Sequence, residues 1–146
     1  MNEKPGILFL CTGNSCRSQM AEGLCRELLG DRFRAFSAGI EKHGLNPRAV
    51  KVMGETGIDI SGHSSKTVDE LEERSFQYVV TVCDSANETC PYFPAEIKVI
   101  HRGFIDPPSA TAGMDSEEDI LAVYRQVRDE IRSFMKSLPE TLGLSG

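Results

Sequence analysis

A cysteine and an arginine lie near the two ends of a short polar stretch, Cys11-Thr12-Gly13-Asn14-Ser15-Cys16-Arg17-Ser18. Four apolar residues precede it and a segment with helical apolar spacing follows it, a pattern typical of a strand, a tight loop and a helix. In such a loop the backbone N–H groups and the positive end of the helix dipole face one point. We therefore predict that residues 12–18 bind a tetrahedral oxyanion.

The side chains of this stretch fit nucleophilic chemistry on the bound anion. The planar guanidinium of Arg17 matches two oxygens of a tetrahedral anion. Cys11 lies where the same field stabilises a thiolate, the nucleophilic form of cysteine, and Ser18 is placed to donate a hydrogen bond to that sulfur. The alternative interpretation is that Cys11 is a small apolar residue at the end of a buried strand and that Arg17 is solvated.

Two further cysteines, Cys83 and Cys90, bracket a polar run at residues 84–89. Three thiols, one of them a loop nucleophile, suit a disulfide relay because each exchange step requires only the attack of a thiolate on an adjacent sulfur. A metal site is disfavoured, since the spacing of Cys83 and Cys90 with His63 or His101 does not fit the usual ligand patterns. The remaining alternative is a pair of buried, inert cysteines.

The other cysteines and the histidines receive structural interpretations. Cys25 lies within the apolar stripe of the predicted first helix and is assigned to the core. Cys16 either packs beneath the loop or forms an off-pathway disulfide when oxidised. His43, His63 and His101 are interpreted as hydrogen-bonded residues of loops or strand ends.

Strands alternate with helices along the chain, which predicts one α/β domain over residues 1–146. The predicted strands are 7–10, 34–39, 78–82 and 97–101, and the predicted helices are 17–29, 46–57, a short one near 67–70 and a long one that begins at Asp115 or Ser116. Right-handed crossovers then give a three-layer sandwich, a four-stranded parallel sheet with helices on both faces. The tail after Pro139 is expected to be loose.

The parallel sheet brings distant residues together. Cys11 and Cys83 immediately follow the first and third predicted strands, and Asp106 comes shortly after the fourth, so all three are expected at the carboxyl edge, where ligands bind. Pro107 and Pro108 stiffen the backbone and restrict Asp106 to extended conformations, which suits a general acid aimed at the anion. The alternative is that Asp106 only starts a turn.

Composition limits the classes of function. The net charge of −6 provides no basic surface for nucleic acid, and no apolar run is long enough to cross a bilayer. The first residues lack the features of a signal peptide, so we expect a cytoplasmic protein with reduced thiols. We also expect a monomer that binds neither nucleic acid nor membrane.

The stretch from Cys11 to Gly23 resembles the Cys-x5-Arg loop of the thioredoxin-coupled arsenate reductases, which share the low-molecular-weight protein tyrosine phosphatase fold. Residues 82–91 resemble the redox segment of these reductases, and residues 101–107 resemble their acid loop. The phosphatases usually have proline where Gln19 stands, lack the cysteine pair, and usually carry aromatic residues after the Asp-Pro pair. This chain has Pro108-Ser109-Ala110 there, and the similarity covers residues 7–134.

The resemblance implies reduction of arsenate to arsenite, as in arsenic detoxification. In the implied order of steps, Cys11 attacks arsenate while Asp106 protonates the departing oxygen, Cys83 attacks Cys11, and Cys90 attacks Cys83. Thioredoxin then reduces the last disulfide, and no bound cofactor is required. Weak phosphatase activity is also expected because phosphate and arsenate share shape and charge. The alternatives are a tyrosine phosphatase and a non-catalytic oxyanion or redox sensor.

One departure from the family pattern concerns potassium. Family members with a potassium site bind the ion through residues that match Asn14, Glu22 and Ser37, and through an acidic residue whose position is taken here by Lys66. A lysine cannot bind a cation, and its ammonium could take the place of the ion beside Glu22. We therefore expect activity that does not require potassium.

Overall fold

Four parallel strands form a single sheet in the computed structural model, which describes residues 4–73, 75–84 and 92–144. The strands are β1 (Gly6–Cys11), β2 (Arg34–Gly39), β3 (Tyr78–Thr81) and β4 (Lys98–His101), in the order β2-β1-β3-β4. The two central strands, β1 and β3, pair with Leu10 opposite Thr81. The predicted parallel sheet is therefore confirmed, with the β-branched run of β3 at its centre.

The helices lie between the strands or after the last one, and only some of them begin at a residue whose side chain caps them. They are α1 (Arg17–Leu29), α2 (Pro47–Glu55), α3 (Pro107–Ala110) and α4 (Glu117–Thr141), with a 3₁₀ helix at Val68–Glu70. The Asn46 side chain accepts hydrogen bonds from two N–H groups of the first turn of α2, and the Ser116 hydroxyl accepts one from Asp119. The short α3 was not predicted, but prolines are tolerated at the first helical positions, where the N–H groups lack intrahelical partners.

Both faces of the sheet are covered, one by α1, α2 and α4 and the other by the 3₁₀ helix and the residues that follow it. Ile7 and Phe9 of β1 belong to the larger core, which α1, α2 and α4 complete. Leu8 and Leu10 point to the opposite face and pack with Phe76, beside the 3₁₀ helix and the residues that follow it. Because side chains alternate along a strand, β1 contributes to both cores and is buried throughout.

The prediction of a loose tail after Pro139 is wrong. Helix α4 continues through Pro139 to Thr141, and the N–H of Leu142 donates to the carbonyl of Leu138 at 2.9 Å. Leu138 and Leu142 are both buried and extend the apolar stripe of α4 by one turn. Burial of this stripe offsets the hydrogen bond that the proline cannot make. Within the described ranges, no helix is long and apolar enough to cross a bilayer.

Candidate active site

Hydrogen bonds from other segments fix the orientation of the peptide groups in the loop between β1 and α1. Four consecutive carbonyl groups of the loop each accept a hydrogen bond from another segment. Glu41 N–H donates to Thr12 O (3.0 Å), His43 N–H to Gly13 O (3.0 Å), Gln19 Nε2 to Asn14 O (3.1 Å) and Asn46 N–H to Ser15 O (3.0 Å). Since the C=O and N–H of a trans peptide unit point in opposite directions, these bonds turn the N–H groups of residues 13–16 to the other side of the loop.

A cavity of about 310 Å³ lies at this loop. The structure brings Cys11, Arg17 and Asp106 to its walls, so the predicted nucleophile, anion-binding cation and acid share one space. The wall also includes loop residues and three residues of later segments, namely Thr12, Gly13, Ser15, Cys16, His43, Asn46 and Pro108. This arrangement suits a small tetrahedral anion.

Arg17 is buried, and contacts with Phe104 and Asp106 hold its guanidinium group in place. One guanidinium nitrogen donates to the Phe104 carbonyl at 3.1 Å, and another lies 3.5 Å from Asp106 Oδ1. Asp106 has an extended backbone before α3, and its second carboxyl oxygen accepts a hydrogen bond from Ser109 Oγ at 2.8 Å. The hydrogen bond from Ser109 therefore holds the carboxyl group at the cavity, and the backbone of Asp106 has the extended conformation expected before a proline.

The Cys11 sulfur lies 3.1 Å from the hydroxyl oxygen of Ser18, which is the contact expected from the sequence. Ser18 in turn accepts a hydrogen bond from Asn14 Nδ2 at 2.9 Å. Asn14 is buried and has φ of +46°, in the left-handed region that asparagine tolerates better than most residues. The loop thus provides a hydroxyl group in contact with the nucleophile.

Cys83 is buried directly beyond β3, beside the end of β1. The N–H of Val82 still donates to the Leu10 carbonyl at 2.9 Å, so the chain follows β1 almost to Cys11 before it reaches Cys83. Cys83 is disulfide-bonded, whereas Cys11 and two other cysteines are free. Cys90, the third predicted redox residue, lies outside the described residues.

Cys16 and Cys25 are also buried, in agreement with a packing role. Burial, followed by the negative charges of Asp106 and Cys11, raises the pKa of the Cys16 thiol well above its usual range. Burial raises the pKa of Cys25 to about 12. Both residues are therefore protonated at neutral pH and are poor nucleophiles.

The three histidines have hydrogen-bond partners, as predicted. His43 Nε2 lies 3.1 Å from a carboxyl oxygen of Glu41, His63 Nδ1 lies 3.0 Å from Gln19 Oε1, and His101 Nδ1 lies 2.7 Å from Thr81 Oγ1. In the described part of the chain, no group of three or more His, Cys, Asp or Glu residues is arranged to hold a metal ion.

Known proteins are similar to this chain in fold and in sequence. Residues 6–144 match the model of the low molecular weight phosphotyrosine protein phosphatase family. The chain belongs to this family. An arsenate reductase of Halalkalibacterium halodurans is 50% identical over 141 residues, which are 97% of this chain and 99% of that protein. An arsenate reductase of Bacillus subtilis is 50% identical over 135 residues, which are 92% of this chain and 95% of that protein.

A solved structure of an arsenate reductase shares this fold. The crystal structure of an arsenate reductase from Archaeoglobus fulgidus matches with a TM-score of 0.73 and 30% sequence identity, over 94% of this chain and 98% of that chain. The match confirms the fold class predicted from the sequence.

At three of the four positions that the resemblance assigns to potassium ligands, Asn14, Glu22 and Ser37, the side chains bind one another or Arg26. Glu22 accepts hydrogen bonds from Ser37 Oγ at 2.5 Å and from Arg26 at 2.7 Å, and Asn14 Nδ2 donates to Ser37 Oγ at 2.9 Å. The prediction that the Lys66 ammonium lies beside Glu22 is wrong, because Lys66 Nζ donates to the Ser64 carbonyl at 2.8 Å. The guanidinium of Arg26 takes that position instead. No step proposed below uses potassium.

Sequence reasoning missed the segment between β2 and α2, which orients the loop. Asn46 was recognised only as a helix cap, although its N–H also fixes the Ser15 carbonyl. Glu41 and His43 contribute through their backbone N–H groups, for which the residue type carries no signal. For Gln19 the sequence indicates only a difference from the phosphatases, which usually have proline at this position, and not its hydrogen bond to the loop.

Proposed function

We propose that this protein is an arsenate reductase that uses a disulfide relay and is regenerated by thioredoxin. The observation that carries the proposal is the placement of Cys83. It is buried just beyond the end of β3, next to the strand that ends in the free thiol of Cys11. A phosphate monoester hydrolase needs Cys11, Arg17 and Asp106 but has no use for this second sulfur. The two relatives that are 50% identical are named arsenate reductases.

The first step is the attack of the Cys11 thiolate on arsenate. The backbone N–H groups of the loop and the Arg17 guanidinium bind the arsenate oxygens and stabilise the charge that develops on them. A bond forms between Cys11 Sγ and arsenic, and one arsenic–oxygen bond breaks. Asp106 transfers a proton to the departing oxygen, which leaves as water. The product is a Cys11 thioester of arsenate, still held by the loop.

The second step reduces arsenic. The thiolate of Cys83 attacks Cys11 Sγ, a sulfur–sulfur bond forms, and the sulfur–arsenic bond breaks with its electron pair moving to arsenic. Arsenic(V) becomes arsenic(III), which leaves as arsenite, while two thiols are oxidised to one disulfide. Cys90 then attacks Cys83 and releases the Cys11 thiolate.

Thioredoxin is the proposed external reductant. Its dithiol exchanges with the final disulfide of the relay and becomes oxidised itself, so that the electrons delivered to arsenic are replaced. Reduction of the final disulfide requires a dithiol protein of low reduction potential. The protein needs no bound redox cofactor for this chemistry.

The test compares variants that separate reduction from hydrolysis. Cys83→Ser and Cys90→Ser should abolish multiple-turnover arsenate reduction with a thioredoxin system, yet both should retain hydrolysis of an aryl phosphate by Cys11. Cys25→Ala, which removes a core thiol that the proposed relay does not use, serves as the control and should retain both activities. Unchanged arsenate reduction in Cys83→Ser would exclude the relay. Aryl phosphate hydrolysis without any arsenate reduction by the parent protein would leave a phosphatase.

The sensor hypothesis makes a different prediction. A sensor would bind arsenate and form a disulfide once, but it would release no more than about one arsenite per protein even with excess reductant. Quantification of arsenite over many equivalents of arsenate distinguishes it from an enzyme.

A further inference from the structure

Gln19 is a fully buried polar residue in the first turn of α1, and its amide orientation is fixed by its surroundings. Its Nε2 lies 3.1 Å from both Asn14 O and Asn14 Oδ1 and 3.0 Å from Ser64 O. All three are oxygen acceptors, so the end that faces them must be the NH₂ group. The opposite end, Oε1, faces His63 Nδ1 at 3.0 Å.

The state of His63 follows from these contacts. Because Gln19 Oε1 can only accept, His63 Nδ1 carries a proton and donates it. His63 Nε2 lies 3.3 Å from the Arg26 guanidinium, which can only donate, so Nε2 is the acceptor. His63 is therefore neutral with its proton on Nδ1, and burial, which lowers the pKa of His63, favours the same form.

The Gln19 amide sets the orientation of Asn14. Asn14 Oδ1 accepts from Gln19 Nε2 and from the N–H of Lys66 at 2.8 Å, so Asn14 Nδ2 is turned toward the hydroxyl of Ser18. Ser18 Oγ accepts this hydrogen bond at 2.9 Å, which leaves the hydroxyl hydrogen available to Cys11 Sγ at 3.1 Å. A hydrogen bond donated to a thiolate stabilises the charged form.

We propose that Gln19 is a positioning residue for the Cys11 nucleophile, which it orients through the amide of Asn14 and the hydroxyl of Ser18. The inference rests on the proposed role of Cys11. It predicts that removal of the Gln19 amide weakens the hydrogen bond from Ser18 and makes the Cys11 thiolate less stable. The other titratable or charged groups at the cavity of Cys11 are Cys16, Arg17, His43 and Asp106, and the test changes none of them.

The experiment measures the rate at which iodoacetamide alkylates Cys11 in the reduced protein as a function of pH, with the modified residue identified by mass spectrometry. In Gln19→Met the midpoint of the profile should move to higher pH by about half a unit, which corresponds to roughly threefold slower alkylation on the acidic side of the profile. Gln19→Leu should behave in the same way. Gln126→Met, a change on the exposed part of α4, is the matched control and should leave the profile unchanged.

A double-mutant cycle with Ser18→Ala tests the route through the hydroxyl. If Gln19 acts through Ser18, Gln19→Met should shift the midpoint in the parent protein but not in the Ser18→Ala background. An equal shift in both backgrounds, or no shift in either, would overturn the proposal. If neither Gln19 variant folds, as judged by circular dichroism, Gln19 belongs to the core and the proposal is also overturned. Alkylation requires no arsenate turnover, so these outcomes are independent of the proposed function.

Discussion

The anion-binding loop and the apolar face of α1 each contain a free, buried cysteine, and the two regions surround that residue with different groups. Cys11 and Cys25 are 2% and 0% exposed, so exposure does not distinguish them. Cys25 has apolar neighbours and a pKa raised to about 12 by burial. Cys11 contacts the Ser18 hydroxyl and faces a cavity that Arg17 also lines. Local donors and positive charge, rather than access to solvent, therefore determine which sulfur can act as a nucleophile.

Replacement of the two sulfurs should show the largest contrast. Cys11→Ser should abolish both arsenate reduction and aryl phosphate hydrolysis, because a serine hydroxyl is not ionised at neutral pH. Cys25→Ala should retain both activities and lose only stability, because it removes buried volume. Steady-state kinetics and thermal unfolding of the two variants measure the difference. Loss of activity in a folded Cys25→Ala protein would contradict the comparison.

The acid role of Asp106 predicts the next largest effect. Asp106→Asn should lower aryl phosphate hydrolysis by roughly 10²- to 10⁴-fold, because the amide cannot donate a proton to the leaving oxygen. Ser109→Ala, which removes the hydrogen bond to Asp106 Oδ2, is the control and should have a much smaller effect. A similar loss in both variants would mean that Asp106 acts through local structure only.

Disruption of an ion-pair cluster between α2 and α4 should have a smaller effect, which lowers stability and leaves activity unchanged. The hydrogen bond from Arg125, and next that from Arg128, lower the pKa of Glu55 from 4.5 to about 2. A folded-state value below the unfolded one stabilises the protein above about pH 4.5, and this contribution is lost as the pH falls toward 2. Glu55→Gln should therefore lower the Tm at pH 7, with a difference that shrinks at low pH.

The measurement is thermal unfolding of both proteins at several pH values in low salt. The activity of Cys11 should not change, since the cluster lies outside the cavity. A Tm difference between the parent protein and Glu55→Gln that grows as the pH falls would contradict the proposed stabilisation by this cluster.

Potassium should have the smallest effect. The Arg26 guanidinium and the Ser37 hydroxyl already bind the Glu22 carboxylate, so a cation there would have to displace them or share the carboxylate with them. We propose that arsenate turnover is the same in potassium and sodium salts of equal ionic strength. A specific increase with potassium would refute this.

Local sequence features predicted much of the fold and of the site. The bounds of α1 and β2 follow from apolar spacing, and the extended conformation of Asp106 follows from the proline after it. The meeting of Cys11 and Asp106 at one cavity follows from the parallel sheet, whose topology the alternation of elements predicted.

The errors arose where contacts decide between alternatives. Arg26 lies four residues after Glu22 on the same helix, a spacing that favours an ion pair, so the sequence does carry a signal for this contact. The backbone N–H groups that orient the loop carbonyls carry no residue-type signal and required the structure. At the C-terminus, burial of Leu138 and Leu142 outweighs the tendency of Pro139 to end the helix.

The most direct test of the central claim compares the reactivity of the free cysteines. The reduced protein is treated with iodoacetamide at pH 7, with and without phosphate, and the labelling of Cys11, Cys16 and Cys25 is followed by mass spectrometry. The account predicts that Cys11 is alkylated roughly tenfold or more faster than the other two and that phosphate slows its reaction. Equal labelling of Cys16 or Cys25 in the folded protein, or no protection by phosphate, would contradict it.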